Sequence, residues 1–231
     1  MYISLFTISI NEYHSNAYAR VCLNNTFLMH REIQSMFPSK EGRRQDGSVL
    51  FRIAEPDNPN SDSIEIYIQS KSVPDPQKSQ LFSRLSDTMK VIDMDDYYSD
   101  IKDGTVARFV LYCRPTYQHS VEGAKNSKKR LIYDQTRRKE WLLKKEDSCG
   151  FELLKFAEGS KIKYLVDKAA SMGDIHVNDA KKKKPASFYI DGYSYSGILK
   201  VHDADLFKET LVKGIGTSKA HGFGLMLAFP A

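Results

Sequence analysis

Period-two alternation in Ser63-Ile64-Glu65-Ile66-Tyr67-Ile68-Gln69 reads as a strand with one buried face. Its surroundings restrict the fold further. Upstream lies a second apolar run, Val49-Leu50-Phe51-Arg52-Ile53-Ala54, joined to it by the turn formers Pro56 to Asp62. Earlier still, Tyr2 to Ile10 reads as a buried strand. Asn24 or Asn25 then offers the N-cap of a short helix ending before Pro38. Downstream, residues 77–88 place Leu81, Phe82 and Leu85 at helical spacing, and Met89 to Met94 closes the unit as a strand. The order β-α-β-β-α-β suits a four-stranded antiparallel sheet with two helices on one face.

The same order recurs in the second half. Val106 to Cys113 reads as a strand buried on both faces, and Arg137 to Lys145 as an amphipathic helix around Trp141. Gly150 to Phe156 and Tyr195 to Val201 read as strands, separated by a polar, irregular segment at 157–184. Asp203 caps a helix carrying Leu206, Phe207 and Leu211, and Gly214 sits where a left-handed C-terminal residue belongs. Leu225 to Phe229 closes as a strand. The expectation is an α+β chain of two domains, 1–97 and 98–231, a division that 231 residues accommodate.

Charge is unevenly shared between the halves. Residues 1–97 carry a net −3 and residues 98–231 a net +8. Nine cations fall within 125–145, and Lys181, Lys182, Lys183 and Lys184 form a second run. Such asymmetry suggests a polyanion-binding face, with solvated helix surface as the plainer alternative. No stretch approaches the roughly 20 apolar residues of a membrane span, and the N-terminus lacks the basic lead-in of a signal peptide. Cys22, Cys113 and Cys149 are odd in number and far apart, which suits a reducing cytoplasm. No Cys, His or carboxylate cluster has metal-ligand spacing, so a structural zinc site is not expected, and no motif calls for another cofactor.

Four glycines crowd the loop Gly214-Ile215-Gly216-Thr217-Ser218-Lys219-Ala220-His221-Gly222-Phe223-Gly224. The loop follows a helix and precedes a strand, the reverse of the nucleotide-binding glycine motifs. Glycines let a backbone approach a ligand, and their N–H groups can converge on an anion. Lys219 adds a charge suited to phosphate. A tight helix-to-strand turn alone would need only two of the four.

The pattern Gly-Ile-Gly-x-x-Lys-x-x-Gly-x-Gly-Leu before a final apolar strand resembles the signature of CRISPR repeat-processing endoribonucleases. Tyr195 to Asp203 precedes it. Met1 to Ser4, Met29-His30-Arg31, Phe37-Pro38, Phe109 to Pro115 and Glu140-Trp141-Leu142 appear in order, and the whole resembles the CasE family of type I-E systems. The resemblance implies two tandem ferredoxin-like (RRM-like) domains with an RNA-binding cleft between them. It also implies metal-independent cleavage at the 3′ base of the CRISPR repeat stem-loop, with the product retained in Cascade beside the other subunits. Catalysis then falls to His30. Arg31, Lys181 to Lys184, Gly214, Gly216, Lys219, Gly222 and Gly224 are the candidate RNA contacts. The region 125–145 is open to RNA or to a neighbouring subunit. The protein is expected to be cytoplasmic, and monomeric outside the complex.

Helical geometry places His30 on the margin of a stripe formed by Met29, Ile33, Met36 and Phe37, beside Phe27, Arg31 and Gln34. In the implied reaction the ribose 2′-OH attacks in line, giving a 2′,3′-cyclic phosphate and a 5′-OH. His30 either removes the 2′-OH proton or delivers one to the 5′-oxygen, which an imidazole titrating near neutrality can do. Arg31 and backbone donors would stabilise charge on the phosphate. Phe27 stands where family members often have tyrosine. A second proton-transfer role is therefore absent or falls to Tyr13, Tyr18, Lys40 or solvent. The alternative function is a non-catalytic RNA-binding or scaffold subunit of the same fold. A generic single-strand binder is disfavoured, because the strands lack an aromatic stacking run.

Overall fold

A computed structural model of the chain describes all residues except 39–48, 55–61, 120–127, 159–160, 165–169, 172–174 and 179–186. At 128, 156–158, 161–164, 170–171, 175–178, 187–190 and 230 it describes the backbone only. The chain divides into two compact units.

The first unit opens with β1 (Tyr2–Ser9), α1 (Ile10–Ser15), α2 (Ala17–Leu23) and α3 (Thr26–Ser35). Next come β2 (Leu50–Ala54), β3 (Ser63–Ser70), 3₁₀ turns at Pro76–Lys78 and Phe82–Thr88, and β4 (Lys90–Asp93). All pairings are antiparallel in the order β2-β3-β1-β4, the strand order of a ferredoxin-like domain. Phe6, Ile8, Phe51, Ile66 and Ile68 from the sheet bury against Met29, Ile33 and Met36 of α3 and against Phe82 and Leu85. The Phe6 and Phe82 rings lie 4.6 Å apart.

Capping explains where the three helices start. Asn25 accepts from the Phe27 and Leu28 N–H groups at 3.1 and 3.2 Å, Asn16 caps α2, and Ser9 caps α1. The stretch expected as a helix at 77–88 is 3₁₀ instead. There Ser86 Oγ donates to the Ser83 carbonyl at 3.1 Å and Thr88 Oγ1 to the Leu85 carbonyl at 2.9 Å. Such local bonds compete with an α-helical ladder.

After α4 (Asp95–Asp100), the second unit builds on β5 (Val106–Cys113). It continues through a hairpin of β6 (Thr116–His119) and β7 (Lys128–Leu131), then α5 (Gln135–Leu143), α6 (Glu146–Cys149) and β8 (Phe151–Leu153). A second hairpin, β9 (Lys155–Glu158) with β10 (Lys161–Tyr164), and the short β11 (Ala170–Ser171) follow. The hairpin of β12 (Ile175–Asn178) and β13 (Ser187–Ile190) packs with the first unit, as does the turn Lys219–Gly222. The second unit closes with β14 (Tyr193–Val201), α7 (Ala204–Lys213) and β15 (Met226–Pro230). Its sheet runs β8-β14-β5-β15, again ferredoxin-like, and β11 pairs with the other end of β14.

Three expectations change. β5 is not buried on both faces: Ala107, Phe109, Leu111 and Cys113 are buried, but Val106 and Arg108 are exposed, so only one face meets the core. The segment 157–184 contains strands at Lys161–Tyr164, Ala170–Ser171 and Ile175–Asn178, too short for their alternation to register as a period. Gly214 ends α7 with φ 71° but ψ 163°, outside the left-handed helical basin. An extended exit suits the Ile215 N–H, which donates to the Gly224 carbonyl at 2.9 Å and clips the two ends of the loop together.

Candidate active site

α3 presents His30 as expected from its period. Met29, Ile33, Met36 and Phe37 are buried, and His30 sits half-buried at the margin with Arg31 exposed beside it. Its imidazole stacks on the buried Phe51 ring of β2, with centroids 6.4 Å apart and planes 27° apart. One turn earlier on the same helix face, the buried Thr26 holds its Oγ1 3.1 Å from His221 Nδ1. The glycine loop thus delivers a second imidazole to α3, across 195 positions of sequence.

The fit of that loop depends on Gly222. It is buried with φ +84°, and a Cβ there would lie 3.2 Å from Phe51 Cε2. Only glycine combines this backbone with so close an approach to the ring. Gly222→Ala is expected to destabilise the fold by about 1–2 kcal/mol, since it adds left-handed strain to a contact tighter than normal packing. Urea unfolding of the full chain measures this. An unchanged midpoint would mean that Phe51 yields freely.

The other candidates scatter. Lys219 is half-buried in the same short turn as His221. Gly214, Gly216 and Gly224 belong to the second unit. The Gly214 N–H donates to the Thr210 carbonyl, the Gly224 N–H to the Tyr112 carbonyl and the Gly222 N–H to the Lys219 carbonyl, so these three N–H groups are engaged within the protein and do not converge on an anion. Lys40 and Lys181 to Lys184 lie outside the described residues. Tyr18, a candidate to stand in for the tyrosine absent at Phe27, donates its hydroxyl to Glu32 Oε1 at 2.6 Å. Burial and this bond push its phenol well above the usual range, which disfavours it as the second proton carrier.

Within the second unit three cations of the basic region rest on aromatic rings. Arg138 lies 3.8 Å over Tyr193, Arg137 5.1 Å over Tyr117, and Lys145 5.6 Å over Trp141. Tyr117, Trp141, Lys129, Lys145 and Gly216 help line an open cavity of about 330 Å³. Among the described residues, no group of three His, Cys, Asp or Glu side chains could hold a metal. Nor is any described helix long and apolar enough to cross a membrane.

The sequence from residue 1 to residue 230 matches the model of the CRISPR associated protein family. The chain belongs to that family. Its fold is shared with solved CRISPR proteins. The structure of CRISPR endoribonuclease Cse3 bound to a 19-nucleotide RNA matches with a TM-score of 0.72 and 20% identity over 100% of both chains. Thermus thermophilus Cse3, bound to an RNA representing a pre-cleavage complex, matches with 0.69 and 22% over 100% of both. A chain of the CRISPR RNA-guided surveillance complex, pre-nicking, matches with 0.64 and 17%, again over 100% of both. No curated protein sequence matches. At these identities the structural likeness establishes the fold, two ferredoxin-like units in tandem, and family membership rests on the sequence.

Of the residues at this site, His221 is the one that sequence reading passed over. Its only signal was a place two residues after Lys219 inside the glycine pattern.

Proposed function

We propose that this chain is an endoribonuclease that cuts the stem-loop of CRISPR repeat RNA without a metal ion and stays with the product in a surveillance complex. The observation carrying this reading is the half-buried His30 imidazole, seated on Phe51 one helical turn from the Thr26–His221 pair. The sharing of the whole fold with Cse3 proteins solved with RNA supports the substrate class.

In the proposed reaction the ribose 2′-oxygen bonds to phosphorus as the P–O5′ bond breaks, leaving a 2′,3′-cyclic phosphate and a 5′-OH. The nucleophile belongs to the substrate, so the protein has to position the strand and move protons. His30 carries proton transfer. Arg31, exposed beside it, and Lys219 supply charge to the phosphate. Stem recognition falls to phosphate contacts and shape, because the A-form major groove is too deep and narrow for side chains to read. Lys181 to Lys184 and, in the glycine loop, Lys219 and the backbone at Gly216 are assigned to that role.

Phe27, half-buried one turn from His30 and unable to move a proton, favours one second reading, a subunit that binds repeat RNA without cutting it. The two readings part in a single assay. Incubated in EDTA with the repeat stem-loop RNA from its own genome, the wild-type chain is expected to yield an upstream fragment ending in a 2′,3′-cyclic phosphate. Binding without cleavage both in EDTA and with added Mg²⁺ would establish the second reading, and cleavage seen only with added Mg²⁺ would overturn metal independence.

A further inference from the structure

We propose that His221 is the general acid of this site, paired with His30 as the general base. The inference rests on the endoribonuclease reading and assigns the second proton transfer that Phe27 cannot perform. Two imidazoles are brought to one face of α3. His30 projects from the helix itself, and His221 reaches it from the glycine loop, with Nδ1 3.1 Å from Thr26 Oγ1. Thr26 and His30 are separated by one helical turn, about 6 Å of rise. The buried Phe51 ring braces both, stacked on His30 and in close contact with Gly222.

A span of one turn suits an in-line displacement, in which the entering and leaving oxygens lie on opposite sides of phosphorus. In an imidazolium at His221 the Nδ1–H donates to the Thr26 hydroxyl oxygen, and the Nε2–H is the proton assigned to the leaving oxygen. The balance is complete without a co-reactant. His30 takes the 2′-OH proton, the O2′–P bond forms, the P–O5′ bond breaks, and His221 delivers a proton to O5′. The 5′-alkoxide is a poor leaving group, so the acid bears on the step that most needs help. Lys219, in the same short turn, travels with His221 and places a cation near the phosphate as this happens.

The test is a substrate whose leaving 5′-oxygen is replaced by sulfur, since a thiolate departs without protonation. Single-turnover cleavage of unmodified repeat stem-loop RNA by His221→Asn is expected to fall roughly 10²- to 10⁴-fold, with RNA binding retained. On the 5′-thio RNA the same variant is expected to return to within a few-fold of wild type, while His30→Ala stays slow on both. Asparagine keeps an amide for Thr26, and His221→Gln, measured alongside, covers a failure of the first variant to fold. Equal slowing on both substrates would make His221 a structural residue, and wild-type rates on unmodified RNA would remove it from the reaction. Either result overturns this assignment. The endoribonuclease reading itself fails only if the wild-type chain leaves both RNAs intact.

Discussion

His30→Ala is expected to slow single-turnover cleavage of repeat RNA roughly 10²- to 10⁴-fold, the range for removing a positioned general base. Binding of the uncut RNA should persist, because phosphate contacts come from other side chains and are summed over many charges. Stability should change little. The buried stripe of α3 is made by Met29, Ile33 and Met36, and His30 lies outside it with part of its surface open. Truncation removes one face of the Phe51 stack and opens no cavity in the core, so the shift should stay within about 1 kcal/mol. Filter binding and thermal unfolding, run beside the kinetics, separate a chemical defect from a folded-state one. A variant that cuts at the wild-type rate would show that His30 carries no part of the chemistry.

How far such a site was visible in the sequence depends on the range of the interaction. α3 was legible because Met29, Ile33, Met36 and Phe37 repeat with its period and Asn25 caps it. The first sheet was legible because β3 alternates with period two and because β1 and β2 are apolar runs, the loop between β2 and β3 being rich in turn formers. α1 and α2 were not, since helices of six and seven residues hold too few turns for a period to show, and polar caps at Ser9 and Asn16 delimit them instead. β5 was misjudged as doubly buried because Val106 and Val110 make its run almost continuously apolar, although the outer face carries Arg108. The meeting of His221 with Thr26 had no local trace at all. A histidine between Ala220 and Gly222 looks like turn chemistry until its ring is found 3.1 Å from Thr26, beside the left-handed backbone of Gly222. The hairpin of β12 and β13 shows the same limit, since nothing in its residues says that it packs with the first unit.

Glu32→Ala is expected to destabilise the first unit by about 3 kcal/mol, on the order of a hundredfold in its folding equilibrium. Glu32 is a buried carboxylate on the helix that carries His30. Its Oε1 accepts from the Tyr18 hydroxyl at 2.6 Å, and its Oε2 accepts from Ser79 Oγ at 2.7 Å and from the Leu81 N–H at 3.0 Å. Alanine orphans three donors at once, and two of those bonds tie α3 to the segment that enters the 3₁₀ turn beneath the sheet. Burial alone would raise this carboxyl. The bonds from Ser79, Tyr18 and Leu81, with the Arg31 charge, outweigh it and hold the group below the usual glutamate range. A carboxyl depressed in the folded state contributes stability above its unfolded value, and that contribution is lost as pH falls through the folded one. Glu32→Gln should therefore differ most from wild type near neutrality, and the gap should close as the solution is acidified through the carboxylate range. Urea unfolding at several pH values measures both effects. A gap that stayed constant with pH would mean that the network is held by shape and neutral hydrogen bonds. In that case the charge on Glu32 would contribute nothing to anchoring the helix on which His30 stands.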